Sequence, residues 1–329
     1  MTATGRSIET VKGCENMKEL IIGSRGSKLA LIQAEWVKNK LEESHPGIAV
    51  SIKVIKTTGD LILDRTLEKI GGKGLFVKEI QQALLAGEID LAVHSMKDVP
   101  GTSPEGLEMA AVARREDPRD VLITPEGLRP EDLPEGAVIG TSSLRRQAQI
   151  RWLNPACKVI PVRGNVQTRL QKMKDQGMTG IILAAAGLIR LNILRDLPHV
   201  VLEPDIFVPA VGQGALGCEI RKEDAWMQEL LQSLEHSPTR CAIRAERAFL
   251  KRLEGDCHVP VGAYGRLKEG HLVLTGLVAC PSGDKRLQET VMGEPVQCEA
   301  LGLQLADSLI ARGARKLMEE GVCHDPTTR

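Results

Sequence analysis

The stretch Val138-Ile139-Gly140-Thr141-Ser142-Ser143-Leu144-Arg145-Arg146 decides the architecture. A short apolar run ends in hydroxyl residues fit to cap a helix, and the helix then opens on two arginines. The same strand-to-helix turn recurs where residues 159–162 lead into Arg163-Gly164-Asn165, and residues 181–185 form a further buried run ahead of Arg190. Upstream, residues 19–24 read as a strand. Ser27 caps a helix that carries Leu29, Ile32, Trp36, Val37 and Leu41 at helical spacing until Pro46-Gly47 stops it. Residues 48–54 alternate as a half-buried strand. A glycine-rich loop at 71–74 precedes a helix over about 75–85, and the strand at 89–93 delivers His94-Ser95-Met96-Lys97-Asp98. Strands alternating with helices predict mostly parallel sheets.

From about residue 237 the pattern changes. Ser237 is expected to cap a helix with Pro238 at its first position; strand-like runs near 259–279 and 287–292 and a final helix follow. The fold class is therefore α/β plus α+β. The expected organisation is a flexible extension at 1–18, a first α/β domain at 19–113 with 214–231, a second at 119–207, and an α+β domain at 236–329. Polar Arg114–Pro118 and the glycine-bearing run at 208–213 are the expected hinges between the first two.

Composition bounds the chemistry. The chain has 329 residues with 43 basic and 43 acidic side chains, and aromatics are 2%. Neutrality argues against a broadly basic nucleic-acid surface, and scarce aromatics against base stacking. The longest nearly apolar run, 180–189, is about half of the roughly 20 residues a membrane span needs. The N-terminus lacks the apolar core of a secretory signal, and eight scattered cysteines form no CxxC pair. A cytosolic monomer, with no nucleic-acid or membrane partner, is expected.

Neutrality is not uniform. Residues 141–190 hold nine Lys or Arg against one acid, Asp175. Arg145, Arg146, Arg163, Arg169 and Arg190 fall at strand ends, where an α/β sheet binds its ligands, and arginine grips carboxylates bidentately. A polyanion site follows, with a solvated basic face as the plainer alternative. Asp98 reads either as a turn residue or as a carboxylate able to move a proton. Lys69 lies just before the glycine loop and Lys73 within it; the loop lacks GxxxxGK[ST] and so reads as a lid. Gly212-Gln213-Gly214-Ala215-Leu216-Gly217 matches GxGxxG, but no clear helix follows it. His and Cys spacing offers no metal site. Cys257, beside His258 in a polar loop, is a passive thiol or an attachment point.

Together these segments resemble porphobilinogen deaminases. The matching stretches are 23–30 with Gln33, 71–76, 94–100, 115–120, 140–146, Arg163-Gly164-Asn165 with Thr168-Arg169, 210–217, 245–249 and the Cys257 loop. The resemblance implies two periplasmic-binding-protein-like domains around a cleft, and a third domain bearing a dipyrromethane cofactor bound by thioether to Cys257. It implies that four porphobilinogen molecules are joined head to tail with release of ammonia, in haem biosynthesis. On this footing Asp98 is the catalytic carboxylate. Arg25, Ser27, Ser95, Lys97, Thr141, Ser143, Arg145, Arg146, Arg163, Arg169 and Arg190 hold the acetate and propionate groups of cofactor and substrate. Lys69, Lys73 and Phe76 belong to a lid. The family pattern Glu-Gly-Gly-Cys is here Glu254-Gly255-Asp256-Cys257, which sets a negative charge beside the anchor. Two rival readings are a cytosolic two-lobed binding protein for a carboxylated metabolite and a nucleotide-dependent enzyme.

Overall fold

The computed structural model describes residues 18–61, 77–253 and 260–322. Residues 1–17, the lid candidates Lys69, Lys73 and Phe76, and Asp256, Cys257 and His258 lie outside the described residues.

The chain first lays down β1 (Lys18–Ser24), α1 (Lys28–Ser44), β2 (Ile48–Val54), α2 (Thr58–Leu61), α3 (Lys78–Leu85), β3 (Leu91–Ser95) and β4 (Leu107–Val112). It then crosses over and forms β5 (Asp120–Ile123), β6 (Val138–Gly140), α4 (Leu144–Leu153), β7 (Lys158–Ile160), α5 (Val166–Asp175), β8 (Gly180–Ala184), α6 (Ala185–Arg190) and β9 (His199–Leu202). A second crossing returns it to β10 (Leu216–Arg221) and α7 (Ala225–Leu230). The first sheet has the order β2-β1-β3-β10-β4 and the second β7-β6-β8-β5-β9.

The two sheets share one plan. In each, three neighbouring strands are parallel, and the fourth is the strand laid down straight after a crossing. That strand, β10 or β5, is antiparallel to both neighbours. The sheets are therefore mixed rather than mostly parallel as expected. The reason is geometric. The chain leaves β4 and β9 at the hinge and re-enters β5 and β10 from the same side, with no crossover helix to reverse it.

Burial explains the apolar runs. Leu20, Ile22 and Leu91 of the first sheet pack on Val37 and Leu41 of α1. The second sheet is covered on both faces: Val121, Ile123 and Ile181 meet Met173 of α5, while Leu122, Ile139 and Ile182 meet Ile150 and Phe207. Strands buried on both faces lose the period-two alternation. On α1 the buried stripe is Gln33, Ala34, Val37 and Leu41, and Trp36, expected in the core, is 39% exposed.

The third unit packs α8 (Ser237–Arg252) on an antiparallel sheet of β11 (Val261–Lys268), β12 (His271–Ala279) and β13 (Arg286–Gly293), with α9 (Cys298–Ala311) and α10 (Ala314–Val322). Phe249, Leu272, Leu274, Leu305 and Leu309 fill its core. His236 caps α8 in place of Ser237, its ring nitrogen accepting from Thr239 N at 3.3 Å, so Pro238 falls at the second helical position. The expected single final helix is two, divided at Gly313, whose φ is +96°.

The crossings run side by side. Glu116 N donates to Gly214 O at 3.1 Å, Ala113 N to Leu216 O at 3.0 Å, and Gln213 Nε2 to Pro118 O at 2.7 Å. Gly214 has φ +88°, and a Cβ there would lie 2.6 Å from Glu116 O. Gly214→Ala is therefore expected to cost at least about 1–2 kcal/mol, seen as a lower thermal midpoint, whereas Gly270→Ala has the backbone penalty at φ +82° and no atom within 4 Å to strike.

Candidate functional site

The site assembles where both sheets point the carboxyl ends of their parallel strands at the crossings. β3 ends at Ser95, which pairs with Leu216 beside the second crossing. A single 3-10 turn, Met96–Asp98, follows, with Lys97 and Asp98 half-buried. From the second sheet, β6 ends before Thr141 and leads into α4, and residues 161–165 lead into α5. Asn165 caps α5 by accepting from Thr168 N at 2.8 Å. Gly164 takes φ +117°, and its carbonyl accepts from Arg169 Nε at 2.7 Å. The turn chemistry thus aims Arg169 back over the strand end.

Charges from the two lobes meet here. Burial pushes the Lys97 ammonium below its usual range; Arg146 and Arg169 push the same way, while Asp98 and Asp120 oppose them. Burial likewise lowers the Arg169 guanidinium to about 10, helped by Arg146 and Arg163 and resisted by Asp98. Asp98 of the first lobe and Arg169 of the second therefore face one electrostatic neighbourhood with Lys97, Arg146 and Arg163. Cations crowded around a half-buried lysine and arginine favour a bound anion. A group with four carboxylates fits this donor set.

The other expected site residues are placed differently. Arg145 and Arg146 are 4% and 6% exposed and flank the fully buried Asp120. Arg145 Nη1 lies 2.7 Å from Asp120 Oδ2, and Arg146 Nη2 lies 2.7 Å from Oδ1. Arg145 also donates to Val208 O at 2.7 Å and Arg146 to Ile182 O at 3.0 Å. Much of their donor capacity is thus directed inward. Arg190 donates to Gly214 O at 2.8 Å and so bridges the second lobe to the returning crossing. Burial lowers its guanidinium, and Glu116 opposes the shift.

Among the hydroxyls, Ser27 Oγ accepts from Ala30 N at 3.3 Å as the cap of α1. Ser95 Oγ shares hydrogen bonds with the Gln33 amide at 3.2 and 3.3 Å. Thr141 is buried and accepts from Ser143 N at 3.2 Å through Oγ1. Ser143 begins α4 without capping it through its side chain. Arg25 directly follows β1 and is half-buried.

Sequence reading missed Asp120, Gln213 and Glu246. Gln213 Nε2 donates to Asp120 Oδ1 at 3.0 Å as well as to Pro118 O. The available signal was an aspartate opening an otherwise apolar strand run, a costly placement unless it is paired. The GxGxxG match is a packing device. Gly212 and Gly214 take positive φ in the crossing, and Gly217 already lies in β10, where a Cβ would meet Met96 Sδ at 2.3 Å. Among the described residues, no group of three or more His, Cys, Asp or Glu is placed to hold a metal, and no helix is long and apolar enough to cross a membrane.

Two family models match in succession. One described as "Porphobilinogen deaminase, dipyromethane cofactor binding domain" covers residues 20–229, and one described as "Porphobilinogen deaminase, C-terminal domain" covers 240–311. A protein of Alkaliphilus metalliredigens named porphobilinogen deaminase is 54% identical over 303 residues, covering 92% of this chain and 96% of its own. One of the same name from Syntrophotalea carbinolica is 52% identical over 299 residues, 91% and 95% of the two chains. A solved structure of the probable amino-acid ABC transporter extracellular-binding protein ytmK from Bacillus subtilis has a TM-score of 0.40 at 12% identity, over 66% of this chain and 90% of its own.

Asp120 generates a pH expectation. Burial would raise its pKa, but Arg145 and Arg146 outweigh burial and hold it at about 2. A folded pKa below the unfolded value of about 4 means stability present above pH 4 and lost as pH falls through 2. Asp120→Asn is expected to cost about 3–5 kcal/mol at neutral pH by leaving two buried guanidiniums uncompensated. The gap to the parent should narrow between about pH 4 and 2, as checked by denaturant midpoints across that range.

Proposed function

This chain belongs to the porphobilinogen deaminase family, and we propose that Asp98 is its catalytic carboxylate and Cys257 the attachment point of its cofactor. The enzyme polymerises porphobilinogen into a linear tetrapyrrole for tetrapyrrole biosynthesis, releasing ammonia. Membership sets aside the two rival readings, a metabolite-binding module and a nucleotide-dependent enzyme. The dipyrromethane cofactor, when bound, supplies a terminal pyrrole with an open α-carbon to which the first substrate is joined.

The chain's own residues meet three demands. Loss of ammonia from the substrate aminomethyl group needs a proton, and the departing group leaves positive charge on the pyrrole nitrogen. Asp98 at the end of β3 serves both needs, because a carboxylate can give and take the proton and stabilise the cation between transfers. The acetate and propionate groups demand cations. Lys97, Arg163 and Arg169, half-buried in one neighbourhood with Asp98, supply them, and the observation that carries this reading is that burial together with neighbouring guanidiniums lowers both Lys97 and Arg169. Arg25 at the end of β1, Ser27, Ser95, Thr141 and Ser143 complete the set, while Arg145, Arg146 and Arg190 act through Asp120 and Gly214.

The third demand is room. Each addition lengthens the bound chain by one ring, so the lobes must shift. We assign that movement to the crossings at 114–118 and 208–213, with the domain limits given above. Lys69, Lys73 and Phe76 are assigned to a lid over the site. The enzyme is further proposed to act as a monomer in the cytosol, without nucleic acid; its scattered cysteines suit a reducing compartment.

Two measurements test this reading. The purified protein should carry a mass increment of two linked pyrrole units on the peptide containing Cys257, and it should convert porphobilinogen, with release of ammonia, to a linear tetrapyrrole that is read as uroporphyrin after spontaneous ring closure and oxidation by added iodine. Asp98→Asn should keep that mass increment while turnover falls by roughly a hundredfold or more. Undiminished turnover would remove Asp98 from the role.

A further inference from the structure

The turn that carries Asp98 is mounted on the third domain. Met96 and Val99 pack with Ile243 of α8. One helical turn further along the same face, Arg247 donates to the carbonyls that follow the aspartate, through Nη2 to Pro100 O and through Nη1 to Val99 O at 3.5 Å. On its other side the turn abuts the second crossing so closely that a Cβ on Gly212 would lie 2.9 Å from Met96 C and 3.0 Å from Lys97 N. At its start, His94 pairs with the fully buried Glu219 at 3.0 Å, and Glu219 also accepts from Gln81. Burial lowers the Arg247 guanidinium, and attraction to Glu219 opposes the shift. The segment from His94 to Pro100 is thus held at both ends, by Glu219 and by Arg247, with Asp98 between the anchors.

We propose that Arg247 is a positioning residue for Asp98, acting through the Val99 and Pro100 carbonyls. It does not touch substrate; it sets where the carboxylate stands. A planar guanidinium suits this because its fork reaches two adjacent carbonyls from one rigid group. The same helix, α8, has Leu253 as its cap and ends at Arg252, five residues before Cys257 in the sequence. This inference rests on the assignment of Asp98 above.

The test uses cofactor-loaded enzyme. In Arg247→Gln, kcat should fall by about tenfold to a hundredfold, as expected for slight misplacement of a reacting group. KM for porphobilinogen and the bound dipyrromethane per chain should stay at parent values. Arg247→Lys, which keeps a donor for one carbonyl, should recover part of the lost kcat. Arg244→Gln, which removes an arginine of the same helix paired with Glu299 on the exposed side at 3.0 Å, should leave kcat unchanged. Parent kcat in Arg247→Gln would overturn the proposal. So would a loss of kcat matched by an equal loss of bound cofactor, or a Lys variant no better than Gln. Asp98→Asn assayed in parallel separates the two claims: if it stays active, the reading of Asp98 fails; if it is inactive while Arg247→Gln is normal, only the role of Arg247 fails.

Discussion

Glu246 accepts hydrogen bonds from three parts of the chain that are remote in sequence: Arg115 Nη1 at 2.5 Å in the first crossing, Gly212 N at 2.7 Å in the second, and Gly265 N at 2.8 Å in β11. Its side chain is fully buried. A carboxylate so placed must be matched by donors, and here the donors belong to the two strands of the hinge and to the third domain. Everything the site requires follows from that junction. The crossings lie together, so the two sheets turn the same strand ends toward each other, and the turn bearing Asp98 is caught between the second crossing and α8.

The electrostatics are layered in the same way. Asp120 cancels charge below the cleft floor, where Arg145 and Arg146 are nearly inaccessible. Above it, Lys97, Arg163 and Arg169 are half-buried, and burial, with Arg169 acting on Lys97 and Arg163 on Arg169, lowers the Lys97 and Arg169 pKa values. A neutral whole-chain count hides both layers. What matters to an anionic substrate is the upper one, and the lower one keeps it rigid.

Much of this was legible before any coordinates. Capping residues, glycine turns and apolar runs located the strands and helices of both lobes, because those signals are local. The arginines that made 141–190 stand out, Arg145, Arg146, Arg163 and Arg169, follow the carboxyl ends of β6 and β7. Orientation along the helix surface was less legible: Trp36 has the spacing of a core residue on α1, but tertiary packing selects Gln33 and Ala34 instead. The direction of β5 and β10 was invisible, since nothing local tells a strand that it enters from a hinge. The inward turn of Arg145 and Arg146 was equally hidden, because their partner Asp120 stands some 26 residues earlier and only the fold joins them. Resemblance supplied roles for residues such as Ser27, whose side chain is seen capping a helix.

The order of strands in the first sheet bears on how the chain is made. Between β3 and β4 sits β10, which is encoded only after the whole second sheet. As the polypeptide emerges from the ribosome, β4 therefore waits for its neighbour, and its edge at Ala111 and Val112 lacks the strand it pairs with. The second sheet has no such gap: its five strands lie between Asp120 and Leu202, so it can close as one uninterrupted piece. Every strand of the arginine-rich lobe is thus made before the first sheet receives the strand that joins β3 to β4.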